Sequence, residues 1–172
     1  MEKVLELLNR MQAEGVIKNF AIGGGIATIY YLEAYSTDDI DVFISPVVVG
    51  EGGLISFGHI YRYLEKLGYP PEREYIRIDD WLVQFVPASE SVQEEAVASA
   101  RTVKFGGTNT FVFSAEHLAA ELLRSGRRKD NERVAALLES EQMDRHLFRD
   151  IITRHGLLDK WEKFAARYEL ER

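Results

Sequence analysis

The stretch Gly23-Gly24-Gly25-Ile26-Ala27-Thr28-Ile29-Tyr30-Tyr31-Leu32-Glu33-Ala34-Tyr35-Ser36-Thr37-Asp38-Asp39-Ile40-Asp41-Val42-Phe43 constrains the fold more than any other part of the chain. It sets a glycine turn before an apolar helix, Ile26–Ala34, and an acid pair on the strand that follows. Side chains of a strand alternate between faces, so Asp39 and Asp41 project the same way while Ile40, Val42 and the flanking Phe43-Ile44 supply apolar contacts. Two carboxylates roughly 7 Å apart on one face repel each other, and a purely structural role would be filled by something less costly. They form a seat for a hard divalent cation, Mg2+ or Mn2+, which takes few protein ligands and bridges to phosphate oxygens. The glycines agree with this: lacking a Cβ, Gly23 and Gly24 let the backbone approach a phosphate and present N–H groups at a helix start.

A chain of 172 residues makes one domain the default, with room for a helical appendage. No apolar run approaches membrane-spanning length, and the opening Met1-Glu2-Lys3-Val4-Leu5-Glu6 carries acids that a secretory signal would not, so a cytoplasmic protein without a membrane partner is expected. The absence of cysteine excludes disulfides and thiolate zinc sites. His59, His117, His146 and His155 show no metal-ligand spacing and read as surface or packing residues. A net charge of −7 argues against broad, sequence-independent nucleic-acid binding. It leaves room for a nucleotide whose charge a metal carries, and for one locally basic patch.

Along the chain, Val4, Leu5, Leu7, Leu8 and Met11 recur at helical spacing before a capping Gly15. Residues Val16–Ile22 read as a strand that delivers the glycines. The loop Ser45–Gly53 reads as a connector, with a lid over a phosphate site as the alternative. A helix Ile55–Leu67 follows, then two strand-like runs, Tyr75–Ile78 and Trp81–Val86, joined by Asp79-Asp80 in a tight hairpin. Ser89–Ala100 has helical propensity, and Thr102–Phe105 and Thr110–Phe113 flank a hairpin loop, Gly106–Asn109. From Ser114, which can cap a helix closed by Gly126, the chain reads as continuous helix, with further helices through about Leu138, His155 and Glu169. Tyr30, Tyr31 and Tyr35 sit close enough to the glycine helix to stack on a base, and read first as packing residues.

The glycine turn, helix and Asp-apolar-Asp-apolar strand together resemble the active-site signature of the nucleotidyltransferase superfamily. The form Ser36-Thr37-Asp38-Asp39-Ile40-Asp41-Val42-Phe43 resembles its bacterial members grouped with the AbiEii-type abortive-infection toxins. The resemblance implies a third carboxylate on a strand beside the acid pair. The matching run is Trp81–Val86, and its polar residue is Gln84, which can coordinate or position a substrate but cannot act as general base. It also implies an Arg-x-Lys-Asp segment at the nucleotide pocket, matched by Arg127, Lys129 and Asp130. Lys129 would contact the triphosphate or leaving pyrophosphate, and Asp130 would orient Lys129 or cap the next helix. Arg133 stands where the pattern has a second acid, and Leu122 where it has a lysine, with Arg124 the nearest basic residue.

The expected fold is α/β (α+β): a small mixed β-sheet flanked by helices, nucleotidyltransferase-like, as a core over residues 1–113 with a C-terminal helical bundle over 114–172. The implied activity is metal-dependent transfer of a nucleoside monophosphate from a nucleoside triphosphate to a hydroxyl of an RNA, protein or small molecule. Asp39 and Asp41 would hold the metal, Gln84 would occupy the missing acid's place, and Gly23, Gly24, Thr37, Arg127, Lys129 and Asp130 would bind the nucleotide. For the toxin form an antitoxin protein is the implied partner. The rival is a nucleotide-binding protein of the same fold that has lost turnover.

Overall fold

The computed structural model describes residues 1–32, 35–45, 48–49 and 54–169. In chain order the elements are α1 (Glu2–Ala13), β1 (Phe20–Ile22), α2 (Gly24–Leu32), β2 (Asp39–Ile44), β3 (Val48–Val49), β4 (Leu54–Ile55), α3 (Gly58–Lys66), β5 (Pro71–Glu72), β6 (Tyr75–Ile78) and β7 (Trp81–Pro87). Then come α4 (Ser91–Ala98), β8 (Arg101–Phe105), β9 (Thr108–Val112), α5 (Ala115–Ser125), α6 (Arg128–Glu139), α7 (Arg145–Arg154) and α8 (Leu158–Arg167). Seven strands form one mixed sheet in the order β5-β6-β7-β2-β1-β9-β8, and β3 pairs with β4 apart from it.

The alternation along β2 divides the sheet into two faces. Ile40, Val42 and Ile44 are buried on one side with Ile76, Ile78, Val83 and Phe85, where α1 and α3 cover them through Leu5, Leu8, Met11, Ile60 and Leu64. Phe43 belongs to the other side, against Phe113 at a ring separation of 4.7 Å, and there α4 to α8 build a second core. Asp39 and Asp41 share the parity of Phe43, so they face the helical side. A strand sandwiched between two cores can hold polar groups only where one core stops, and the acid pair lies at that end of β2.

The mixed α/β architecture matches the expectation, with shifted boundaries. The first strand is only Phe20–Ile22, α3 starts at Gly58 because Leu54–Ile55 is a strand, and Pro71–Glu72 adds an unexpected edge. The Ser114 cap is as expected: its hydroxyl accepts from the His117 amide, and Gly126 closes α5 at φ +67°. Asp79 pairs with Lys3 at 2.6 Å. Most of the loop read as a connector or lid lies outside the described residues. Among the described residues, no helix is long and apolar enough to cross a membrane.

Candidate active site

Parallel pairing sets Asp41 directly opposite Gln84 and Phe43 opposite Val86. These residues with Gly24 form one wall of a cavity of about 340 Å3. The opposite wall comes from α4 and the end of α5: Gln93, Glu121, Leu122, Arg124, Ser125 and Arg127. Two distant pieces of sequence thus close on one hollow, and Gln84 occupies the place that the strand pattern assigned to it.

The three glycines serve three different neighbours. The helix begins at Gly24 rather than Ile26, so the turn is its first turn. Gly24 takes φ +53°, and a Cβ there would overlap the Asp41 carboxylate. A Cβ on Gly25 would stand 2.8 Å from Thr37 Cβ, and one on Gly23 would stand 2.5 Å from the Phe43 ring. The Gly23 amide donates to the Asp41 carbonyl at 3.0 Å. That corrects the expectation for Gly23: its N–H is spent on β2, and the amides open to an anion begin at Gly24.

Asp41 is half-buried, and its carboxyl is pushed above the usual carboxylate range, first by burial and then by the Asp39 charge. Arg127, Lys129 and Arg133 act in the opposite direction without cancelling it. Asp39 accepts a hydrogen bond from the Thr37 hydroxyl. Thr37 was expected to bind nucleotide; here its hydroxyl orients the neighbouring carboxylate and its side chain seals the glycine turn. Among the described residues, no group of three or more His, Cys, Asp and Glu side chains is placed to hold a metal ion by itself. Two hard oxygen donors under mutual repulsion still fit Mg2+ or Mn2+, which draws its other ligands from water and phosphate.

The basic segment differs in detail from its expected roles. Asp130 is fully buried and accepts from Ser125 Oγ at 2.5 Å, from Arg127 Nε at 2.6 Å and from Arg133 Nη1 at 3.4 Å. Neither orienting Lys129 nor capping α6 is its part, and a carboxylate with no exposure cannot touch a nucleotide. It anchors Arg127, which lines the cavity, and Arg133. Lys129 itself is exposed and reaches Asp41 through its field. Arg133, noted only as a departure, lies 6.0 Å from the centre of the Tyr35 ring. Tyr31 is a core residue whose hydroxyl donates to the Phe113 carbonyl at 2.8 Å, and Tyr30 is exposed.

Glu121 and Gln93 were not singled out beforehand. Glu121 accepts from Gln93 Nε2 at 2.9 Å and from Arg124 Nε at 2.7 Å and Nη2 at 2.9 Å. The available signal was a glutamate among the Leu and Ala of α5, a helix that also buries Glu116 and His117, and such a group calls for a buried partner.

The mixed sheet and the helices that cover it form a nucleotidyltransferase-like fold. Solved structures agree. An antigenic nucleotidyltransferase-like protein from Paracoccidioides brasiliensis superposes with a TM-score of 0.55 at 16% identity, over 99% of this chain and 92% of its own. The antibiotic-resistance factor ANT(2'')-Ia in solution superposes with a TM-score of 0.50 at 20% identity, over 98% of this chain and 95% of its own. No family model and no curated protein matches the sequence.

Proposed function

We propose that this protein is a metal-dependent nucleotidyltransferase that moves a nucleoside monophosphate from a nucleoside triphosphate to an acceptor hydroxyl. One observation carries the reading: Asp41 stands half-buried beside Asp39, its carboxyl pushed above the usual range, in the wall of a cavity that Arg124 and Arg127 also line. Stability alone gives no reason for that arrangement, and a cation with a phosphate tail resolves it.

Asp39 and Asp41 would hold a divalent cation, whose chemistry is to neutralise phosphate oxygens and align the α-phosphate with the attacking group. The amides at the start of α2, from Gly24 onward, meet the phosphate tail along the helix dipole. Arg127, braced by Asp130, and Lys129 meet the charge that develops on departing pyrophosphate. The acceptor oxygen bonds to the α-phosphorus as the bond to the β-phosphate oxygen breaks. Gln84 cannot take the acceptor proton, so that proton passes to solvent. Thr37 holds the Asp39 carboxylate in one orientation, as outer-shell partners of metal ligands do.

The test is incubation of the protein with each α-labelled triphosphate, Mg2+ or Mn2+ and a cell extract. Label transferred to an acceptor, and lost in Asp39→Ala, supports the enzyme. Nucleotide-dependent thermal stabilisation without transfer supports the second reading, a nucleotide binder without turnover, which is favoured by Gln84 facing Asp41 where a third acid would serve. Within the enzyme reading, the AbiEii-like form of Ser36–Phe43 suggests a bacterial toxin acting in the cytoplasm with an antitoxin partner. Co-purification of a protein encoded beside it, with loss of growth arrest on co-expression, tests that.

A further inference from the structure

Ser91 is the first residue of α4, and its hydroxyl stands 2.8 Å from His155 Nδ1, just past the end of α7. On the far side of that ring, Nε2 stands 2.6 Å from Glu95 Oε2. A ring nitrogen so close to a carboxylate carries the hydrogen, so in the neutral ring Nδ1 keeps its lone pair and the Ser91 hydroxyl donates to it. Serine, histidine and glutamate are thus in line: the ring can draw the proton from the hydroxyl, and the carboxylate can steady the charge left on the ring.

A second trio uses the other oxygen of the same glutamate. Ser114 Oγ is 2.9 Å from His117 Nδ1, and His117 Nε2 is 3.2 Å from Glu95 Oε1. Ser114 is buried and its oxygen caps α5, so helix capping and packing account for that trio. Ser91 has neither duty. It is exposed, and the capping box of α4 is made by Glu90 and Gln93. Arg154 already joins α7 to Glu95 of α4, so the two helices are tied without the Ser91 hydroxyl.

The proposed transfer needs an acceptor hydroxyl and a group to take its proton, and Gln84 cannot be that group. Ser91 with His155 brings both. The cavity of the same molecule does not face them: Gln93 lines that cavity, and Ser91, two residues earlier, stands about 200° round the helix, turned to His155. The cavity of a neighbouring molecule can. Exposed Glu90 and Glu94 flank Ser91, whereas Arg127 of the cavity wall is followed by exposed Arg128 and Lys129, so the two surfaces are opposite in charge. We infer that Ser91 is an acceptor for the protein's own reaction, and that a second copy of the chain transfers a nucleoside monophosphate to it. This rests on the nucleotidyltransferase reading above. Ser91 Oγ bonds to the α-phosphorus of the triphosphate held by the second copy, the bond from that phosphorus to the α–β bridging oxygen breaks, and pyrophosphate leaves with the electron pair. The hydroxyl proton goes to His155 Nδ1 and from there to solvent, and the product is a phosphodiester joining Ser91 to the nucleoside.

The test uses the purified full chain with each α-labelled triphosphate and Mg2+ or Mn2+, first without extract and then with it. Label should appear on the protein, its intact mass should rise by one nucleoside monophosphate, and peptide mapping should place the gain on Ser91. Ser91→Ala should lose that label while its triphosphate affinity and melting temperature match wild type. Asp39→Ala, which keeps Ser91 but not the metal ligand, should be labelled only when Ser91→Ala is added as the enzyme, at an initial rate that rises with the concentration of each. His155→Gln should slow its own labelling by roughly 10²-fold at saturating triphosphate, with triphosphate affinity unchanged, as loss of a general base does. Equal labelling of Ser91→Ala, or label mapped to another residue, overturns the inference, and a rate independent of protein concentration overturns transfer between copies. Label that reaches an extract component but never the chain also overturns it and leaves the nucleotidyltransferase reading standing. Triphosphate that binds without transfer to chain or extract overturns the inference and the enzyme reading together, in favour of the binder, and triphosphate that does not bind overturns all three.

Discussion

Glu95 on α4 and Asp41 on β2 are both half-buried carboxylates, and their surroundings differ in kind. Glu95 accepts from Arg154 Nε at 3.0 Å and also from its Nη2, and it meets His155 Nε2 at 2.6 Å and His117 Nε2 at 3.2 Å. The two rings are in turn held by Ser91 and Ser114, at 2.8 and 2.9 Å from their Nδ1 atoms. These partners, led by the Arg154 hydrogen bond, hold the Glu95 carboxyl down to about 2. Asp41 instead faces Asp39, and its carboxyl is pushed up. The contrast separates a charge placed to tie α4, α5 and α7 together from a charge left facing another carboxylate, where the proposed cation would bind.

Breaking the unsatisfied side has the largest expected effect. Asp41→Asn should lower transfer on the order of 10³-fold, since it removes a metal ligand at the reacting phosphate. A carboxyl whose folded pKa lies above its unfolded one binds its proton more tightly when folded, so its ionised form costs stability at neutral pH. Asp41→Asn should therefore melt higher than wild type at pH 7 in metal-free buffer, with the difference closing as pH falls through the raised value. Calorimetry with and without Mg2+ checks this, and a lower melting temperature for the variant would remove the contrast with Glu95.

Gln84→Asp sharpens the contrast by adding the third acid opposite Asp41. If the missing base limits the rate, transfer should rise on the order of 10²-fold, read as kcat in single-turnover assays. No gain would mean that another step, such as pyrophosphate release, limits turnover.

On the satisfied side, Glu95→Gln should cost about 2 kcal/mol at pH 7, a fall in Tm of about 4–8 °C, with nucleotide affinity unchanged. Its carboxyl is depressed in the folded state, so its stabilisation is present above about 4.5 and is lost as pH falls from there towards about 2. The gap between variant and wild type should close over that window. Thr37→Val, the smallest change, should weaken Mn2+ binding by roughly 10-fold through the freed Asp39 carboxylate, with little effect on Tm.

Much of this arrangement is legible in the residues themselves. The acid pair could be read from β2 because strand alternation is local: Asp39, Asp41 and the apolar residues between them need no distant partner to choose a face. The Ser114 cap and the Gly126 closure are local in the same sense. Helix starts and short edge strands were less legible, because pairing decides them: position 24 admits only a glycine because the Asp41 carboxylate of β2 fills the space a Cβ would take.

The chain by itself determined which groups are able to carry the proposed chemistry, since charge, hydrogen-bonding capacity and backbone freedom belong to single residues. Only the tertiary structure decided which of them meet. It buried Asp130 beneath Arg127 and Arg133, spent the Gly23 amide on β2, brought His117 and His155 to one glutamate, and placed Glu121 across the cavity from Gln84. Each is an encounter between segments far apart in sequence, or a burial set by what packs above. Such encounters depend on how two faces of a sheet are covered, and no window of neighbouring residues contains that information.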